Sequence, residues 1–357
     1  MDAFTIEEIP LPADLVDDPH APDFLTTVEI RNLTEEDGYG TPDVRVTPEK
    51  LLAYWSDPYE PHRLFVARAG GRIVARGMYE TLLDATSTAA WVDVRVLPEV
   101  RRRGIGAALA EHLEQLARSE GRTHLIVYIV SADGPGPRLE PPTGSGSLPA
   151  DNTEVRFLLG RGYRLEQVVR ASRLPLPLDD AELDSRLKAA AERAGDAFVV
   201  HSWSGATPVE FRDDIAALNT RMSTDAPQSG LDEPEDVWTA QRLADHEAHT
   251  TADGTVLLTS AVMHVDEGRL VGFTQLALPT EAGRPVDQYD TLVLHEHRGH
   301  GLGMLLKLAN LVLLQDEHPG HPAVTTWNAD ENRHMLAVNE ALGFVPMGYE
   351  GAWRLDL

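Results

Sequence analysis

The sequence predicts two α/β domains of similar build in tandem, and three observations carry that expectation. The chain has 357 residues, about twice an ordinary domain. A segment near residue 100 returns near residue 300. Residues 93–106 read DVRVLPEVRRRGIG and residues 290–303 read DTLVLHEHRGHGLG; they match at Asp, Val, Leu, Glu, Arg and both glycines, with Arg101 and Arg298 lying 197 positions apart. Finally, each copy sits in the same succession of β-rich runs and amphipathic helical stretches.

The elements follow in order. In the first half a helix is expected over 47–56, with Thr47 as N-cap and Pro48 in its first turn. Strands are expected over 63–69 and 72–79, turned through Gly70-Gly71, and over 89–97. The apolar spacing of 104–120 predicts a helix, 123–130 a strand, and a short helix then ends at Gly162-Tyr163 before a last β-rich run. Residues 132–150, rich in Pro, Gly and Ser, read as an inserted loop that does not pack as an element and is either mobile or laid on the surface. Pro175-Leu176-Pro177 closes the half, and a polar helix over 179–193 ends at Gly195. The second half repeats the plan: helix 235–249, strands 256–265 and 269–278 across Glu267-Gly268, strand 286–294, helix 301–317, strand 323–327, and a short helix ending at Gly343-Phe344. This gives a first domain over 1–176 carrying the 132–150 loop, a linker over 177–196 and a second domain over 197–357.

Composition narrows the function. With 31 basic and 57 acidic residues the formal charge is −26, a field that repels nucleic acid and anionic membranes and favours cationic small molecules. The absence of cysteine excludes disulfide frameworks, thiolate metal sites and thiol nucleophiles. The acidic start MDAFTIEEIP lacks a signal-peptide pattern, and the longest apolar stretch, 303–314, carries Lys307 and Asn310 and is too short for a bilayer. These features read as a cytoplasmic protein. Histidines gather at 295, 297 and 300, but H-E-x-x-H is absent, so they read as loop residues and no metal site is expected.

Chemistry points to the repeated segment. Arg101-Arg102-Arg103-Gly104-Ile105-Gly106 and Arg298-Gly299-His300-Gly301-Leu302-Gly303 each stand where a strand turns into a helix. Glycines there let the backbone approach a ligand, the helix adds the positive end of its dipole, and arginine adds charge. The result is a cradle for a diphosphate. It is neither the dinucleotide fingerprint nor a Walker loop, since the glycine spacing differs and no Gly-Lys-Ser/Thr follows.

This strand–RxxGxG–helix element, with Asn332-Arg333-His334-Met335-Leu336-Ala337-Val338-Asn339-Glu340-Ala341-Leu342-Gly343-Phe344 downstream, resembles the GNAT superfamily of N-acetyltransferases. The tandem layout is most similar to the mycothiol synthase type of double GNAT protein. The resemblance implies an α+β fold repeated twice, each copy a mixed, mainly antiparallel sheet flanked by helices. It implies acetyl-CoA as acetyl donor and a primary amine of a small molecule, with a cationic acceptor favoured, as partner. It places the diphosphate on 298–303, the pantetheine arm along Leu292, Val293 and Leu294, and its end near Asn328 and Asn332. In the first half the equivalents are Val94, Arg95, Val96 and the 101–106 cradle. The family's tyrosine acid is replaced by Asn339 in the second half and Leu158 in the first.

Amine acetylation needs a proton acceptor, and Asp290, three residues before Val293, occupies the position from which a strand carboxylate reaches the acceptor. Asp287 is a second candidate base, and Tyr349 a substitute for the missing tyrosine. The better-kept helix motif favours the second half as the catalytic one. A catalytically weak acyl-CoA-binding or regulatory module is the alternative reading.

Overall fold

In the computed structural model, which describes residues 4–83, 87–225 and 227–357, the two halves share a single sheet of 12 strands. The first half comprises β1 (Phe4–Ile9), α1 (Ala21–Tyr39), α2 (Pro48–Trp55), β2 (His62–Ala69), β3 (Arg72–Glu80), β4 (Ala89–Val96), α3 (Ile105–Ser119), β5 (His124–Ser131), the two-residue strands β6 (Arg138–Leu139) and β7 (Leu148–Pro149), α4 (Thr153–Gly160) and β8 (Arg164–Pro175). A linker helix α5 (Asp180–Ala194) leads to β9 (Phe198–Ser204), α6 (Arg212–Asp225), α7 (Ala240–Thr250), β10 (Val256–His264), β11 (Arg269–Leu278), β12 (Val286–Val293), α8 (Leu302–Glu317), β13 (Ala323–Ala329), α9 (Arg333–Leu342) and β14 (Val345–Asp356).

The strand order is β1-β2-β3-β4-β5-β14-β8-β13-β12-β11-β10-β9. Only β4–β5 and β12–β13 pair in parallel; the other pairs are antiparallel, as the family resemblance implies. The halves exchange their last strands. β14 lies against β5 of the first half, with Trp353 opposite Val127, and β8 lies against β13 of the second, with Arg170 opposite Asn328. Trp353 is fully buried in the first core, beside Leu109 and Leu113 of α3. Leu174 of β8 is buried in the second, with Leu305 and Leu311 of α8. Each core therefore depends on a strand from the other half.

Local chemistry fixes the helix starts. The Thr47 hydroxyl accepts from Lys50 N at 3.1 Å, Asp179 from Glu182 N at 2.8 Å, and Thr239 from Arg242 N at 3.1 Å. The last of these explains why α7 begins at Ala240 rather than 235.

The 132–150 segment corrects the expectation of an unpacked loop. Its β6–β7 pair places Leu148 fully buried in the first core, and a Cβ on Gly146 would stand 2.8 Å from Val168. Pro and Gly shape this insertion to fit, and one leucine anchors it.

Candidate active site

β4 and β5 pair only at Ala89–His124, Ala90–Leu125 and Trp91–Ile126, and β12 and β13 only at Val286–Val324 and Asp287–Thr325. Beyond these points the parallel strands part and leave one side of β4 and of β12 unpaired. Neighbouring residues of a strand turn their N–H groups to opposite sides. Leu294 N–H donates back to Val271 O at 2.9 Å, so Val293 faces the opening, and its carbonyl accepts from Arg298 Nε at 3.0 Å. The first half repeats this, with Leu97 N–H on Val74 O at 3.1 Å and Arg101 Nε on Val96 O at 3.0 Å.

At the end of each opening the cradle takes the same backbone course. Gly104 and Gly301 precede α3 and α8 with φ of 85° and 77°. Gly299 has φ 93°, and Arg102 holds the corresponding left-handed position at φ 65°, a conformation that disfavours a side chain. The first opening is a cleft of about 630 Å³ lined by the cradle, by Val94 to Val96, and by Ile129, Asn152 and Phe157 across from them. Arg103 lies on the exposed rim.

The cradles differ in their neighbours. Arg101 stands 3.7 Å from Asp37, a carboxylate that is 63% exposed, whereas Arg298 stands 3.3 Å from Asp225, which is 12% exposed. In the second cradle Arg193, from the end of α5, also lies across Gly301, where a Cβ would be 3.2 Å from its Cδ.

Comparison with known proteins agrees with this geometry. Residues 26–135 match the acetyltransferase (GNAT) family model. A tandem GNAT protein from the clavulanic acid biosynthesis pathway, solved without AcCoA, superposes with a TM-score of 0.73 at 26% identity, covering 99% of this chain and 98% of that one. The first half therefore matches a GNAT domain, and the chain as a whole is similar in fold to a tandem GNAT protein. A GCN5-related N-acetyltransferase from Sphaerobacter thermophilus shares the fold at 15% identity and TM-score 0.60, over 99% of this chain and 95% of that one. A glucosamine N-acetyltransferase region of a fungal multi-domain β-N-acetylglucosaminidase does so at 15% identity and TM-score 0.61, over 99% of this chain and 38% of that one. A sequence comparison with the curated proteins finds no match. Among the described residues no helix is long and apolar enough to cross a membrane.

In this chain the sequence-derived candidates fall in different places. Among the described residues Asp290 makes no hydrogen bond or ion pair. Its side chain reaches solvent, and partial desolvation by the surrounding protein raises its pKa, opposed by the nearby His246. Its counterpart Asp93 is held by Arg95 at 2.6 Å and Arg76 at 3.3 Å. Asp287 is engaged too: Lys50 of α2 pairs with it and the Thr325 hydroxyl donates to it at 3.1 Å. Burial works most strongly against the Lys50 charge, but Asp287, Tyr289 and Asp253 together outweigh it and the lysine pKa rises. Strand exchange puts Tyr349 opposite Ser131 of β5, with β8 and β13 between it and β12. Tyr349 therefore belongs to the first half's part of the sheet and not with Asp290. Asn332 caps α9 through Met335 N at 3.2 Å, and Asn328 accepts from the Asn339 amide at 2.7 Å, so Asn339 orients Asn328.

Residues that sequence reading missed complete the site. Asp290, Tyr289, Tyr54, Glu60, Glu80 and His246 act on one another's charges between the halves. The Glu80 charge is the main cause of a Tyr54 pKa well above the usual value, and burial, then Glu80, raises Glu60. Glu80 is backed by buried His62 at 3.1 Å. On the first half's side, β14 delivers Glu350, whose pKa is pushed up to about 7 by burial and by the charge of Glu35. Tyr39 O–H donates to Glu350, and the tyrosine oxygen accepts from Trp327 Nε1 of the second half at 2.7 Å.

Proposed function

We propose that this protein is an acetyl-CoA-dependent N-acetyltransferase that modifies a primary amine of a cationic small molecule, with the chemistry mainly in the second half. The observation that carries this reading is the free Asp290 at the parting of β12 and β13, its pKa raised by desolvation, with Glu60 and Glu80 linked to it electrostatically through His246. Carboxyl groups whose pKa is raised by desolvation and, at Glu60, also by a neighbouring carboxylate gain most from a bound cation.

The residues present fit a CoA thioester. Both openings offer an unpaired strand edge, a left-handed glycine turn at a helix N-terminus and an arginine, and the first has the room. Acetyl-CoA supplies an activated acetyl group for attack by an amine. The 298–303 backbone and Arg298 would hold its diphosphate, and 101–106 with Arg101 the equivalent in the first half. Val293 N–H faces the opening and is the donor best placed for a carbonyl oxygen there. Glu60 and Glu80 draw the ammonium in; Asp290 takes its proton and leaves the neutral amine as nucleophile. A raised pKa makes Asp290 a stronger base so long as it remains ionised at working pH.

Asp290→Asn keeps the shape and removes the charge. With acetyl-CoA and a panel of polyamines and amino sugars, free-thiol release is expected to fall roughly 10²-fold or more, with CoA affinity unchanged and the deficit shrinking as pH rises. A stable, fully active variant overturns this assignment. Glu350, near neutral pKa at the first opening, supports a second reading in which the first half is catalytic; activity that survives Asp290→Asn and is lost in Glu350→Gln selects it.

A further inference from the structure

Outside the acetyl-transfer site, His264, Glu267 and His297 bring one ligand atom each to within 4.8 Å of one another. His264 ends β10, Glu267 lies in the turn to β11, and His297 lies in the short helical turn before Arg298. Glu267 Oε1 stands 3.5 Å from His264 Nδ1 and 3.2 Å from His297 Nε2, and the two rings are 5.1 Å apart. Neither nitrogen is satisfied by a hydrogen bond, although both atoms are buried and His297 is only 7% exposed. Orphaned buried nitrogens are costly unless something fills the space between them. Arg269 Nε donates to Glu267 Oε2 at 2.7 Å and so turns Oε1 toward the rings.

We infer that His264, Glu267 and His297 form a divalent-metal site, with Zn²⁺ as the fitting ion. Zinc takes imidazole nitrogen and carboxylate oxygen at about 2.0–2.2 Å in tetrahedral array, which sets neighbouring ligand atoms about 3.3 Å apart. The two distances to Glu267 match that spacing. Two nitrogens and one oxygen suit zinc over Ca²⁺ or Mg²⁺, which require oxygen shells. Arg269 supplies the outer partner that such carboxylates carry.

Among the described residues the first half has nothing equivalent. Its hairpin turns through Gly70 and Gly71 directly after Ala69, whereas the second half inserts a turn of four residues, Val265 to Gly268, that provides Glu267. Val100 stands 197 positions before His297. Because His297 immediately precedes Arg298, the ion ties the β10–β11 turn to the loop that carries the second cradle.

The test uses the chelator-treated full chain titrated with zinc chloride by calorimetry, with thermal melts alongside. The chain has 14 histidines, so the variants carry the decision. One tight site is expected, with a rise in Tm on zinc addition. His297→Gln and, should that variant fold poorly, the half-exposed Glu267→Gln are each expected to weaken the site roughly tenfold or more, the loss typical when a metal's surroundings are disturbed, and to abolish the Tm rise. Zinc affinity and Tm response unchanged in a folded Glu267→Gln variant, or no tight site in the wild-type chain, overturns the assignment.

Discussion

The two halves divide between them what one acetyltransferase site needs. The first keeps an open cleft of about 630 Å³ beside its cradle, but its strand carboxylate, Asp93, is locked between Arg76 and Arg95. The second keeps Asp290 free, but its cradle arginine faces the largely buried Asp225, and Arg193 covers Gly301. Similar backbone turns thus sit among different charges in the two halves. A duplicated sheet that exchanges its last strands cannot lose either half, so one copy is at liberty to drift in chemistry while still holding the other's core.

The largest test of this division concerns the two cradle arginines. A charge-assisted bond to a diphosphate contributes about 1.5–3 kcal/mol, or roughly 10- to 100-fold in affinity. Calorimetry with CoA is expected to resolve a tighter site in the first half and a weaker one in the second. Arg101→Ala should weaken the tight site by that factor and spare most turnover. Arg298→Ala should leave the tight site intact and raise KM for acetyl-CoA. The same loss from either substitution would erase the distinction between the halves.

Much of this architecture is legible in the sequence, because strands and cradles leave local marks. The alternating runs at 63–69, 72–79, 256–265 and 269–278 lie within one or two residues of β2, β3, β10 and β11. α1 and α6 left no such mark. The buried side of α1 carries Thr27, Asn32, Thr34 and Glu35, which serve hydrogen bonds and the Arg95 ion pair, so no apolar stripe runs along it. The strand exchange is invisible for a different reason: periodicity identifies a strand, but not the neighbour it will pair with. Glu350 follows from that exchange, since its position in the first half's site depends on β14 lying beside β5. Likewise, the difference between Asp93 and Asp290 resides in Arg76 and Arg95, whose contacts no spacing announces.

A second test asks how far α8 has diverged from α3. Lys307 stands 197 positions after Ala110; both are buried, and burial pushes the Lys307 pKa down to about 7. The unfolded chain binds this proton up to about pH 10.4, while the folded chain releases it near 7. The unfolded state therefore holds more protons across that window, and folding stability rises with pH from about 7 toward 10. Lys307→Met is expected to stabilise the protein by about 2 kcal/mol at pH 7 and to flatten this rise. Denaturant melts at pH 7 and pH 9 read both effects. An unchanged slope would mean that the ammonium reaches water in the folded state.

The smallest expected effect concerns the acids beside the cradles. Asp37 is mostly exposed and 3.7 Å from Arg101, a pair worth about 0–1 kcal/mol that water and salt screen. Asp225 is nine-tenths covered, holds Arg221 at 2.9 Å as well as Arg298 at 3.3 Å, and is screened far less. A diphosphate entering the second cradle must displace or endure that carboxylate. Asp225→Asn frees Arg298, removes one negative charge from the site and is expected to raise second-site CoA affinity by about tenfold, with most of the gain at low salt. Asp37→Asn should change first-site affinity by no more than about twofold. If both substitutions have the same small effect, the carboxylates are bystanders, and the two cradles differ through Arg193 instead. That leaves Arg193→Ala as the change that separates them, since only the second half has a linker helix ending over its cradle glycine.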